Sequence, residues 1–172
     1  GDRLAIVDEK GNPIGEEYTL TICADGFFQS TSSSTPIVTN LSTTMALDKV
    51  AERFGSKVIR SGVGEINVVN KMKEVGAEFG GEGNGGVILP ESHYGRDSLV
   101  GATMFLNRMA QDNMKVSEIF QSMAQYIMVK DKIELGCVDP QVAFDKIEAA
   151  YIDADADKTD GLKLVWDNSW LH

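Results

Sequence analysis

Five glycines in the stretch Gly80-Gly81-Glu82-Gly83-Asn84-Gly85-Gly86 surround one carboxylate and one carboxamide. Glycine lets the backbone take positive φ and approach a ligand closely, while Glu82 and Asn84 present acceptors and a donor. A carboxylate accepts from two vicinal hydroxyls, and an amide both accepts and donates, so the pattern suits hydroxyl reading on a sugar. A phosphate would be repelled by Glu82. The plainer alternative is a glycine-rich β-turn joining two strands.

Other groups near this stretch have two readings each. Glu65 follows the turn Gly62-Val63-Gly64 at a helix start, where it either offsets the helix dipole or offers a second substrate-facing acceptor. His93 is one of two histidines and is either a surface side chain or a proton carrier or phosphate contact. Arg96 is expected to pair with Asp97 or Glu91, or to reach a substrate phosphate. Asp2 is a single carboxylate, whereas Mg²⁺ needs several oxygen ligands, so alone it hardly binds metal. Asp153-Ala154-Asp155-Ala156-Asp157 invites an EF-hand reading, but Lys158 and Leu164 stand where glycine and a bidentate glutamate are required, which leaves a solvated acidic loop. Neither the dinucleotide fingerprint nor the P-loop pattern occurs.

The elements that must position these groups follow from periodicity. Leu4–Val7 reads as a short strand closed by the turn Lys10–Pro13, and residues 16–28 as an amphipathic helix. Ile37–Leu41 is expected as a buried strand, with Ser42 capping a helix striped by Leu47, Val50, Ala51 and Phe54 and ended at Gly55. Lys57–Arg60 is the next strand, followed by a helix striped by Ile66, Val69 and Met72 that stops at Gly76. The glycine stretch then joins two neighbouring strands, and Asp97 caps a helix whose stripe is Leu99, Thr103, Leu106 and Met109 or Ala110. This order predicts an α/β fold with a mixed sheet of about four strands and flanking helices. Ligands gather at strand-end rims in such sheets, and Asn40–Thr43, Arg60–Glu65 and Glu82–Asn84 are the candidate rim. Beyond Asn113 the expectations are a helix over 117–127, a linking strand over 128–135, a helix opened by Asp139-Pro140, and a hairpin over 162–171.

At 172 residues the chain holds one domain with flanking pieces. The formal net charge of -10 makes nucleic acid and anionic membrane surfaces poor partners. Cys23 and Cys137 are the only cysteines and read as reduced, buried, structural thiols, which points to the cytoplasm. No apolar run approaches the roughly 20 residues of a membrane span.

The stretch Gly81-Glu82-Gly83-Asn84-Gly85 resembles the sugar-binding loop of the α-D-phosphohexomutases, the phosphoglucomutases, phosphomannomutases and phosphoglucosamine mutases. Arg60–Val69 is similar to the family's Val-Gly segment, and Gly1-Asp2-Arg3 looks like the end of its metal loop. Asp160–His172 resembles the opening of its last domain. The resemblance implies the end of domain 2 at residues 1–13, domain 3 at 14–112, a linker at 113–137 and the start of domain 4 at 138–172. It also implies that Gly81, Glu82, Gly83, Asn84, Glu65 and His93 contact substrate and that Asp2 is a metal ligand. Histidine or aspartate stands at the place of Glu65 in several members. By the same resemblance the intact enzyme moves phosphate between the 1- and 6-positions of a hexose, using a phosphoserine, Mg²⁺ and a bound hexose 1,6-bisphosphate. Its partners would be a phosphorylated hexose and the missing domains, and this piece would be inactive alone. The alternative of another class is a stand-alone, non-catalytic phosphosugar-binding or interaction module.

Overall fold

The computed structural model describes residues 1–172 and divides into two compact units, residues 1–126 and 127–172. The first unit contains α1 (Glu16–Ser30), β1 (Ile37–Asn40), α2 (Ala46–Arg53), β2 (Val58–Ser61), α3 (Glu65–Val75), β3 (Phe79–Glu82), β4 (Gly86–Ile88), α4 (Ser98–Asp112) and α5 (Val116–Ser122). Its sheet has the order β2-β1-β3-β4, with β1 parallel to both neighbours and β4 antiparallel to β3, which is the mixed four-stranded sheet expected.

Strand residues alternate between two faces, and each face is covered by helices. Ile37, Phe79 and Val87 join α1, α2, α4 and α5 in one apolar cluster, while Val38 and Ile88 join Val68, Val69 and Met72 of α3 in another. The two central glycines of β3 permit this close sandwich. A Cβ on Gly80 would meet Met72 Sδ at 2.7 Å, and one on Gly81 would meet Leu20 Cδ1 at 2.7 Å.

Several sequence expectations need correction, each for a physical reason. Instead of being amphipathic, α1 is buried from Glu17 to Gly26, because the sheet and the helices α2, α4 and α5 all pack around it. Leu4–Val7 forms only an isolated pairing of Val7 with Pro13, although the turn at Lys10–Pro13 is present. The helix α2 starts at Ala46 and not after Ser42, since Asn40 Oδ1 accepts from Ser42 N and Thr43 Oγ1 and draws those residues into a turn. Ile66 is 66% exposed, and α3 buries Val68, Val69 and Met72. The expected stripe on α4 holds only at Met109, which packs against the main cluster. Leu99 and Leu106 face outward, and Gly101, Phe105 and Arg108 face inward, a set that no apolar periodicity reveals. Gly55, Gly76 and the Asp97 cap stand as expected, with Asp97 Oδ1 accepting from Leu99 N and Val100 N.

The helix α5 ends at Ser122, not 127. Beyond it Tyr126 N donates to Tyr18 Oη, which in turn donates to Ala124 O, so the extended tail of this unit is held on α1. Ile119 and Met123 enter the main apolar cluster, which carries the compact unit past residue 112 to Tyr126.

The second unit contains α6 (Pro140–Ala150) and a sheet of β5 (Asp155–Asp157), β6 (Lys163–Trp166) and β7 (Ser169–Leu171) in that order, all antiparallel. The Asp139-Pro140 helix start and the hairpin are as expected, but no strand forms over 128–135, and the acidic residues 155–157 pair as a strand instead of forming a loop. No residue of α6 is buried. Both cysteines are free, but only Cys23 is buried, where desolvation pushes its thiol up to about 12; Cys137 is exposed.

Candidate functional site

The three expected rim segments converge on one carboxylate. Glu82 ends β3 and is 2% exposed, and its Oε1 accepts from Asn40 Nδ2 at 2.8 Å and from Gly64 N at 3.1 Å. Its Oε2 accepts from Arg96 Nη1 at 2.8 Å. A carboxylate has about four acceptor positions, so these three bonds leave Glu82 about one for a ligand, and the expected grip on two vicinal hydroxyls by Glu82 alone does not fit this arrangement.

The glycine loop beside it is held from below. Gly83 N donates to Thr43 Oγ1 at 3.1 Å, and a Cβ on Gly83 would run into the Glu17 carboxylate, whose Oε2 accepts from Thr44 N at 2.9 Å. Gly81 and Gly85 take positive φ, and Gly85 O accepts from Leu4 N, which lays the N-terminal segment along the loop. Asn84 Oδ1 accepts from Gly86 N at 3.3 Å, which leaves the two Nδ2 donors and one lone pair of Oδ1 for a ligand.

Arg96 joins the remaining candidates. Its Nη2 lies 2.6 Å from Asp2 Oδ2, and its Nε lies 3.2 Å from Glu65 Oε2, close enough for an ion pair though not aligned as a hydrogen bond. Arg96 N also donates to Glu65 Oε1 at 2.9 Å. The expected partners Asp97 and Glu91 are therefore replaced by Asp2, Glu65 and Glu82. Glu65 sits in the first turn of α3, so both of its readings remain compatible with its place. His93 is half-exposed and pairs through Nε2 with Asp97 Oδ2 at 3.0 Å. That bond, with the Val100 and Leu99 amides, holds the Asp97 carboxyl below its usual range. Gly95 separates the His93 ring from Glu65, since a Cβ there would lie 3.1 Å from Nδ1 of the one and 3.5 Å from Oε1 of the other.

Arg60, though in a rim segment, turns away and grips Asp48 of α2 at 2.7–2.8 Å through both terminal nitrogens. The supporting role of Glu17 has no sequence signal, because a glutamate in the first turn of a helix reads as solvated. Asp2 stands at the rim, but no three His, Cys, Asp or Glu side chains of the chain are placed to hold a metal ion, so these residues alone do not make a Mg²⁺ site. The arrangement can accept and donate hydrogen bonds to a polyol at a rim with three carboxylates around one guanidinium.

Comparison with known proteins agrees with this architecture. The family described as "Phosphoglucomutase/phosphomannomutase, alpha/beta/alpha domain III" matches residues 15–126. A phosphoglucomutase/phosphomannomutase of Thermococcus kodakarensis is 30% identical over 171 residues, covering 99% of this chain and 37% of that protein. A phosphoglucosamine mutase of Campylobacter hominis is 33% identical over 148 residues, covering 86% of this chain and 32% of that protein. In solved structures, a phosphoglucomutase/phosphomannomutase family protein from Burkholderia thailandensis superposes with a TM-score of 0.79 at 21% identity, covering 99% of this chain and 36% of that one. The chain thus spans about a third of the length of these proteins. With the family match over residues 15–126 and the α/β/α sandwich in place, the chain belongs to the phosphoglucomutase/phosphomannomutase family.

Proposed function

We propose that this chain is the sugar-recognising part of a phosphohexomutase that interconverts hexose 1-phosphate and hexose 6-phosphate through a bound 1,6-bisphosphate and a phosphoserine. The observation that carries the reading is the buried Glu82 carboxylate, held by three donors and left with about one acceptor position, with Asn84 two residues on in the same loop. Such a pair grips hydroxyls through fixed groups that need no reorganisation, which is how positioning contributes to phosphoryl transfer. The two orientations of a bisphosphate present comparable hydroxyls to this rim, so one set of contacts serves both halves of the reaction. Gly81, Gly83 and Gly85 bring the loop backbone close to the sugar, Glu65 and His93 line the outer edge, and Asp2 is the single ligand this chain offers to Mg²⁺. A cytoplasmic setting belongs to the same reading; no helix is long and apolar enough to cross a membrane.

The test is turnover by the full-length protein with glucose 1-phosphate, mannose 1-phosphate and glucosamine 1-phosphate, each with Mg²⁺ and its bisphosphate. Interconversion of at least one is expected, and the 172-residue chain alone is expected to give none. Absence of turnover in the full-length protein, with retained phosphosugar binding, would favour a binding module instead.

A further inference from the structure

Arg96 is placed unlike a surface arginine. Its side chain is 14% exposed, and its three carboxylate partners come from the N-terminal segment, the start of α3 and the end of β3. Its backbone is fixed on both sides: Arg96 N donates to Glu65, and the next amide, Asp97 N, donates to Val87 O at 2.9 Å. Gly86 leaves room for the side chain, because a Cβ there would run into Arg96 Cδ. A guanidinium with a fixed planar fork can address three carboxylates in different directions, which a lysine ammonium on a flexible stem cannot do with the same geometry.

Of the three donors that hold Glu82, Arg96 alone acts on Oε2, the oxygen with an acceptor position to spare. Without it, the carboxylate is held through one oxygen only and can pivot, which also loosens the bond that Gly64 N makes to Oε1. We propose that Arg96 is the positioning residue of this site, fixing the Glu82 carboxylate in the one orientation that leaves an acceptor for the sugar. The proposal rests on the phosphohexomutase reading for its kinetic consequence, but its structural consequence can be measured without it.

The experiment uses the full-length protein with Arg96→Lys, since Arg96→Ala leaves three carboxylates uncompensated and invites misfolding. Arg96→Lys keeps the charge, so the melting temperature is expected to stay close to that of the parent. Loss of a bond to a charged group predicts a fall of about 10- to 150-fold in kcat/KM, mostly in kcat if the contact tightens in the transition state. On a Glu82→Gln background the same change is expected to cost less than about threefold, because the residue it positions is already altered. Hydrogen exchange at the Gly64 amide, which donates to Glu82 Oε1, is expected to speed up. Unchanged kcat/KM overturns the proposal, with or without faster exchange at Gly64. So does a full additional loss on the Glu82→Gln background. If the parent protein has no mutase activity, the proposed function fails on that result, and an unchanged Gly64 exchange rate would then overturn the positioning role on its own.

Discussion

Two arginine–carboxylate clusters lie in the first unit, and they differ in charge balance. In one, Arg108 and Arg53 meet Asp25 and Asp112, two cations for two anions. Asp25 is fully buried, Arg108 Nε sits 2.6 Å from Asp25 Oδ2, and Arg108 Nη1 sits 2.8 Å from Asp112 Oδ2. In the other, Arg96 alone faces Asp2, Glu65 and Glu82, a formal excess of two negative charges at an open rim. The balanced cluster ties α1 to α4, where Gly26 lets Arg108 come close: a Cβ on Gly26 would lie 2.8 Å from Arg108 Cβ. The unbalanced cluster ties together the N-terminal segment, the start of α3 and the end of β3. In the first cluster each buried charge meets an opposite one, whereas the second leaves carboxylate acceptors over at the rim, which is where the proposed reading puts the ligand.

The largest expected effect breaks the balanced cluster. Arg108→Met leaves Asp25 as a buried charge short of one cation, and removing one partner of such a pair costs about 3–5 kcal/mol. Chemical denaturation of the full-length protein should show that loss, and any protein that remains folded should keep kcat/KM near that of the parent. A drop in kcat/KM without lost stability would mean that the two clusters are not separate in function. The next effect sharpens the other side of the comparison. Asn84→Ala removes a neutral contact and is expected to lower kcat/KM by about 0.5–1.5 kcal/mol, with little change in melting temperature because its other bond only closes the turn.

The smallest effect concerns pH. The Asp97 carboxyl lies below its usual range through His93 and the amides of Val100 and Leu99, so its folded-state pKa is below its unfolded one. Its contribution is then complete above the unfolded value near 3.8 and disappears as pH falls through the folded value. The stability of Asp97→Ala relative to the parent should converge in that acid window, as followed by melting temperature against pH. A difference that persists at the lowest pH would show that the cap works through something other than its charge.

Much of the fold was legible because glycines and caps are local signals. Gly55 and Gly76 end helices in the left-handed region, and Asp97 and Asp139 start them. The convergence of the three rim segments was legible too, since strand ends in an α/β sheet share an edge. What stayed hidden depends on contacts between distant residues. The inward face of α4 is chosen by Arg108 reaching Asp25, the partners of Arg96 come from residues 2, 65 and 82, and α5 stops where Tyr18 captures the chain after it. None of these leaves a periodic trace. The engagement of three Glu82 acceptor positions by protein donors was equally invisible, because Asn40 Nδ2 and Gly64 N approach it only once β2, β1 and β3 are paired.

On the proposed reading, the acceptor left on Glu82 takes a hydrogen bond from a sugar hydroxyl. Because Glu82 also holds Asn40, Gly64 and Arg96, Glu82→Gln will disturb the rim as well as the contact, and a simple loss of activity would not separate the two. The direct measurement is kcat/KM of the parent and of Glu82→Gln in the full-length protein across the monodeoxy forms of its best hexose 1-phosphate. One deoxy sugar should lose about 1.5–3 kcal/mol with the parent, the range for a bond to a charged group, and little more with Glu82→Gln, since the bond is already gone. An equal penalty from Glu82→Gln on every analogue, the parent sugar included, would mean that Glu82 only braces the loop and touches no hydroxyl.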